Sequence, residues 1–83
     1  MRLDKFLKIS RIIKRRTIAN EACDAGKVTV NSKVAKASVN VAIGDIIEVT
    51  FGNSVQKVQV TGLSEHVRKD EAAGMYKIID DVK

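Results

Sequence analysis

Four basic residues fall within six positions, Arg11, Lys14, Arg15 and Arg16, in the stretch RIIKRR. Cations this close repel one another unless an anion lies between them. Guanidinium groups carry planar forks of N–H donors that match the oxygens of a phosphate. Thr17 follows directly and reads as the N-cap of a helix over roughly residues 18–25. A helix start adds backbone N–H groups without partners and a partial positive charge. The chemistry that suits this stretch is phosphate binding, with Arg15, Arg16 and Thr17 at its centre and Arg11 and Lys14 beside them. Arg2 and Lys5 extend the same surface from the N-terminus. Lys27, Lys33 and Lys36 flank a hairpin further on.

Other residues capable of chemistry do not assemble into a site. His66 is the single histidine and Cys23 the single cysteine, so no metal-ligand set exists. Cys23 sits among small apolar residues of a helix, which suits an inert buried thiol better than a nucleophile. Asp80 and Asp81 lie in a polar tail and read as solvated charges. No glycine-rich loop follows a strand. The expectation is a non-enzymatic protein with no cofactor and no metal.

Charge asymmetry agrees with a phosphate-bearing partner. Residues 1–36 hold ten lysines and arginines against Asp4, Glu21 and Asp24, a balance of +7, while residues 37–83 carry −2. A dipolar chain of this kind points first to nucleic acid and second to an anionic membrane. One cysteine excludes an internal disulfide, which fits a reducing cytoplasm. Charges interrupt every apolar stretch near the N-terminus, so no signal peptide is expected. No run approaches the length of a membrane span.

The elements that must position these cations can be read from periodicity. Over residues 3–9, Leu3, Phe6 and Leu7 share one arc of a helical wheel and Arg2, Lys5 and Lys8 another. In the second helix Ile18, Ala22 and Ala25 share a face, with Ala19 and Cys23 beside it. Gly26 stands where a helix end favours positive φ. The period then changes to two. Val28 and Val30 alternate with Lys27 and Thr29, Asn31-Ser32 reads as a turn, and Lys33 to Lys36 return. Gly44-Asp45 turns the chain into a strand with Ile47, Val49 and Phe51 on its inner face. Gly52-Asn53 leads to another strand with Val58 and Val60 inward. Ala72, Met75, Tyr76 and Ile79 fit the helical template, so a short C-terminal helix is expected. The order of elements predicts an α+β fold: two helices packed on a small, mainly antiparallel sheet.

With Phe6 and Phe51 assigned to core faces and Tyr76 to the tail helix, no aromatic platform for stacked bases remains. That favours reading a folded RNA backbone by shape and charge. A DNA-binding helix-turn-helix is disfavoured, because the second helix carries Glu21 and Asp24 and no base along its side.

The stretch SRIIKRRTIANEACDAGKVTVNSKVAKAS resembles the RNA-binding domain named after the fourth protein of the small ribosomal subunit. The basic helix start, the AGKV ending, the VTVN hairpin and the GD turn in VAIGDIIEVTF carry the resemblance. It places an RNA-binding domain over residues 1–62 and a C-terminal extension over residues 63–83. The opening MRLDKFLKISRIIKRRTIA and the tail EAAGMYKII are similar to the stand-alone bacterial RqcP or YabO family, relatives of the fifteen-kilodalton heat-shock protein. That family implies a cytoplasmic, ribosome-associated adaptor. Its partners would be the large ribosomal subunit, through 23S rRNA, and peptidyl-tRNA, in quality control of stalled nascent chains. A tail-synthesising quality-control factor is a further implied partner. The family's basic contacts map onto Arg2 and Arg16, with Arg11, Lys14 and Arg15 beside them. A monomer without membrane contact is expected. Two rival readings stay open: a DNA-binding regulator, and a protein-interaction or chaperone module using the apolar tail.

Overall fold

The computed structural model describes residues 1–63 and 74–79. Two helices, α1 (Leu3–Ile9) and α2 (Arg16–Asp24), precede five strands: β1 (Val28–Val30), β2 (Lys33–Val34), β3 (Ile46–Phe51), β4 (Ser54–Val60) and β5 (Tyr76–Ile78). The strands form one antiparallel sheet in the order β2-β1-β3-β4-β5. The expected α+β architecture is therefore present.

The core follows the periodicities of the sequence. Leu3, Phe6 and Leu7 of α1 are fully buried with Ala19 and Cys23 of α2 and with Val28, Ile47, Val49, Val58 and Val60 of the sheet. Each large apolar side chain buried here contributes about 1.5–3 kcal/mol. Ala19 and Cys23 are small, which lets α2 lie close against α1.

Backbone hydrogen bonds pin the N-terminus to the segment before β3. The amide of Leu3 donates to the Val39 carbonyl at 2.7 Å, and the amide of Asp4 to the Ala37 carbonyl at 3.2 Å. The Val41 amide donates to the Met1 carbonyl at 2.9 Å, and Arg2 bridges to Asn40. Arg2 is thus held on a fixed backbone although it is the second residue.

The β1–β2 turn is made by Asn31 and Ser32, both at positive φ (53° and 72°), which matches the twist of a tight hairpin. Asn31 does more than turn the chain. Its Oδ1 accepts from the Ile46 amide at 3.0 Å and its Nδ2 donates to Asp45 at 3.2 Å. The hairpin is thereby tied to the Gly44-Asp45 turn.

Three expectations need correction. Tyr76–Ile78 is a strand, not part of a helix: Tyr76 pairs with Val60 and Ile78 with Val58. The open edge of β4 offered unpaired backbone groups, and pairing them outweighs a weak helical pattern already interrupted by Gly74. Met75, directly before this strand, is buried in the core, and Ala72 lies outside the described residues. Helix α2 begins earlier than expected, with Arg15 as its N-cap and Thr17 inside its first turn. Phe51 ends β3 substantially exposed instead of sealed in the core.

Candidate nucleic-acid interface

Helix α2 repeats every 3.6 residues, so Arg16 and Asn20 share one face one turn apart. That face looks onto α1. There it meets Asp4, the one acidic side chain buried in the described structure, with 2% of its surface exposed. Arg2 reaches the same carboxylate from the other side. Its Nε donates to Oδ1 at 3.3 Å and its Nη2 to Oδ2 at 3.4 Å. Arg16 Nη2 donates to Oδ1 at 3.4 Å, and its Nε lies 3.4 Å from Oδ2. Asn20 Nδ2 donates to Oδ2 at 3.3 Å and the Lys5 amide to Oδ1 at 2.8 Å.

One carboxylate therefore gathers two guanidinium groups, one from the residue that precedes α1 and one from the first turn of α2. The sum of the three charges is +1. Both arginine side chains remain 48% exposed. Each guanidinium has five N–H donors, more than Asp4 engages. The contacts are longer than the usual range of about 2.7–3.2 Å, so they orient the forks without saturating them. The sequence suggests an unopposed cation cluster. The structure gives a pair of cations aligned by a buried anion.

Electrostatics fit this arrangement. Burial pushes the Asp4 carboxyl up. Hydrogen bonds from Asn20, Arg16 and the Lys5 amide, with the positive charge of Arg16, outweigh that and hold it below its ordinary value. The carboxylate is thus charged at neutral pH and keeps both arginines in place.

The other expected contacts fall into groups. Lys14, Arg15 and Thr17 are exposed along the segment that enters α2. No acidic residue occupies the first turn of α2 and no side chain caps it. Lys5 is half-buried on α1 beside Asp4. Arg11 is exposed just past α1, in the left-handed conformation at φ 65°. Lys27 does not join Arg2 and Arg16. It borders, with Lys14, a groove on another side of α2. Lys33 is exposed on edge strand β2, and Lys36 is exposed beyond it.

Sequence reasoning missed Asp4 and Asn20 as parts of the site. The sequence signal is slight: on an ideal helix Asp4 stands roughly 60° from Leu7, at the border between the apolar arc and the basic one, where packing decides burial. A carboxylate there needs partners.

Burial, with the nearby charges of Asp4 and Asp24, pushes the Cys23 thiol up to about 11, so it is protonated and unreactive at neutral pH. Among the described residues no group of His, Cys, Asp and Glu could hold a metal ion. His66, Asp80 and Asp81 lie outside the described residues. No described helix is long and apolar enough to cross a membrane.

Residues 1–47, which contain both helices, the Asp4 cluster and the β1–β2 hairpin, match the S4 domain. The chain belongs to the S4 domain family. It is 51% identical over 83 residues to a Bacillus subtilis protein named RQC P-site tRNA stabilizing factor, covering all of this chain and 96% of that one. A Streptococcus pneumoniae protein of the same name is 47% identical over 83 residues, covering 100% of this chain and 94% of the relative. Among solved structures, the trimeric heat shock protein 15 of Vibrio cholerae superposes with a TM-score of 0.88 at 32% identity, covering 95% of this chain and 81% of that one. In this S4 domain the basic helix start, the AGKV ending and the hairpin thus occupy the matched region.

Proposed function

We propose that this S4 domain is a non-enzymatic RNA-binding adaptor that stabilises tRNA on the large ribosomal subunit during ribosome-associated quality control. In this reading it is cytoplasmic and touches both 23S rRNA and peptidyl-tRNA. The carrying observation is the pair Arg2 and Arg16, aligned on buried Asp4 with both side chains half exposed. Two forks side by side suit the phosphates of a folded backbone. The names of the relatives from Bacillus subtilis and Streptococcus pneumoniae supply the biological setting.

Arg2 and Arg16 grip phosphates in this reading, and Lys5, Arg11, Lys14, Arg15 and Thr17 line their approach. Lys27 and Lys33 extend the contact around α2 and the hairpin. The acidic excess of residues 37–83 takes no part in holding phosphates in this reading. The unit that binds is residues 1–62, and the remaining residues form an extension to it. A tail-synthesising factor is a further partner in the same assembly.

The test is co-sedimentation with large ribosomal subunits. The double variant Arg2→Ala with Arg16→Ala should leave the pellet while still folding, with a lowered melting temperature because the buried Asp4 carboxylate loses two partners. If about five phosphates are engaged, the wild-type log–log salt slope should be about −3 to −5. Wild-type pelleting by the double variant would refute the assignment of these residues. Preference for a DNA duplex in competition with ribosomal RNA would refute the reading itself.

A further inference from the structure

Phe51 closes β3 with 41% of its surface exposed, and Ile18 on α2 is 48% exposed. Both line a groove of about 560 Å³ whose apolar wall also includes Ile12 and Ala22. Lys14 and Lys27 border the groove, and Glu21 reaches it from α2. Glu21 also lines the polar notch around Asp4, Arg16, Thr17 and Asn20. The two depressions therefore flank a single helix about 10 Å across.

The chemistry of the groove is mixed in a specific way. Its wall offers an aromatic ring and branched aliphatic side chains, which favour a flat, weakly polar group. Its rim offers two ammonium groups, which favour anions. A nucleotide whose base has left its helix combines those properties. Phe51 lies at the mouth of a two-residue turn, where Gly52 and Asn53 carry no bulky side chain to block approach.

We propose that this groove receives one unpaired base of the bound RNA, stacked on Phe51, with Lys14 and Lys27 on the flanking phosphates. The proposal rests on the RNA-binding reading above and adds a base-binding subsite to its phosphate contacts. Lys14 links the two, since it precedes Arg15 and Arg16 directly. Glu21 introduces a preference. A carboxylate accepts hydrogen bonds, so it favours a base with an exocyclic amine, such as cytosine, over uracil.

The experiment compares two fluorescent RNA hairpins with the same stem, one of which carries a single bulged cytidine. Stacking of one base contributes enough to predict about 5- to 50-fold tighter binding of the bulged hairpin by the wild-type protein. Phe51→Ala should erase that preference, and Ile18→Ser should reduce it. Binding to the perfect stem and its salt slope should not change, because stacking releases no counterions. Phe51→Tyr keeps the ring and should retain the preference. Lys14→Ala should weaken both RNAs and lower the slope by about one. Replacing the bulged cytidine by uridine should weaken wild-type binding, and Glu21→Gln should narrow that difference. Melting curves check that the exposed substitutions leave the fold intact. Equal wild-type affinity for both hairpins would overturn the subsite, as would a preference that survives both Phe51→Ala and Ile18→Ser. So would loss of self-association in those variants with RNA affinity unchanged, which would make the groove a protein interface. Failure of the wild-type protein to bind either hairpin or tRNA would overturn the RNA-binding reading, and the groove with it.

Discussion

Asp4 and Arg16 stand twelve residues apart and meet side chain to side chain, with Arg16 Nη2 3.4 Å from Asp4 Oδ1. The contact joins the first turn of α1 to the first residue of α2. Arg2 approaches the same carboxylate, so a single acidic residue sets the spacing of two cations. A negative charge inside a phosphate-binding surface weakens long-range attraction. Its retention makes sense if alignment of the forks matters more than total charge.

That balance can be measured with Asp4→Asn, which keeps the shape and removes the charge. The variant is one unit more positive, so simple attraction predicts tighter binding to RNA. Alignment predicts the opposite. We expect weaker co-sedimentation with large subunits, and a loss of stability of about 1–2 kcal/mol in urea unfolding. The stability loss is modest because the arginines are half exposed and solvent screens them. Tighter binding by Asp4→Asn would show that Asp4 only dilutes the cation field.

The same carboxylate makes stability depend on pH. Asp4 titrates below its ordinary value of 3.8 in the folded protein. The unfolded chain therefore binds the proton more tightly, and acid favours unfolding. The contribution is complete above the unfolded value, about pH 4, and is lost as pH falls through the lower folded value. Melting temperatures followed downward from neutral pH should show this fall, and Asp4→Asn should flatten it. An identical acid limb in both proteins would assign the effect to other carboxylates.

Much of this architecture was legible in the sequence, for physical reasons. Leu3, Phe6 and Leu7 repeat at the helical period, and Val28, Ile47, Val49, Val58 and Val60 lie on alternating positions, so burial followed from periodicity. Asn31-Ser32 signalled its turn by composition. Tyr76–Ile78 was illegible because its structure depends on a partner strand, and a short apolar run carries no record of a free sheet edge. Arg15, Arg16 and Thr17 announced a helix start, but the boundary shifted by two residues, as helix ends do. In the site, the cations were visible as a run of like charge. Their common partner was not, since Asp4 sits far from Arg16 in the chain and only α1–α2 packing brings them together. Phe51 was misplaced because alternation fixes its face of the sheet, while exposure depends on whether a helix covers that end of the strand.

Arg11 offers a separation of binding from stability. The two helices end alike: Gly26 follows the C-cap of α2 at φ 78°, and Arg11 follows the C-cap of α1 at φ 65°. Glycine takes this left-handed conformation freely, whereas a residue with a Cβ is strained by about 1 kcal/mol or more. Arg11→Gly should therefore stabilise the domain by about 0.5–1 kcal/mol, allowing for the extra freedom of glycine in the unfolded chain. If the guanidinium serves RNA, the same variant should bind large subunits less tightly and show a shallower salt slope by about one. Greater stability with undiminished binding would leave the arginine without a role in the interface.

Ser32 tests the hairpin in the opposite sense, because its side chain is assigned no part in binding. Asn31 and Ser32 both adopt positive φ, and Asn31 is committed to Asp45 and the Ile46 amide through its side chain. Only the second position is free to change. Ser32→Gly supplies the residue that this turn favours most at that point. The left-handed strain is relieved and part of the gain is offset by the more flexible unfolded chain, for a net of about 0.5–1 kcal/mol. In a domain of this size that corresponds to roughly 2–6 °C in melting temperature. RNA affinity should be unchanged within error, since Arg2, Arg16 and Asp4 are held by α1, α2 and the segment before β3, not by this turn. A higher melting temperature accompanied by weaker RNA binding would mean that the hairpin tip itself contacts the RNA and that the binding surface extends past Lys33 to the turn.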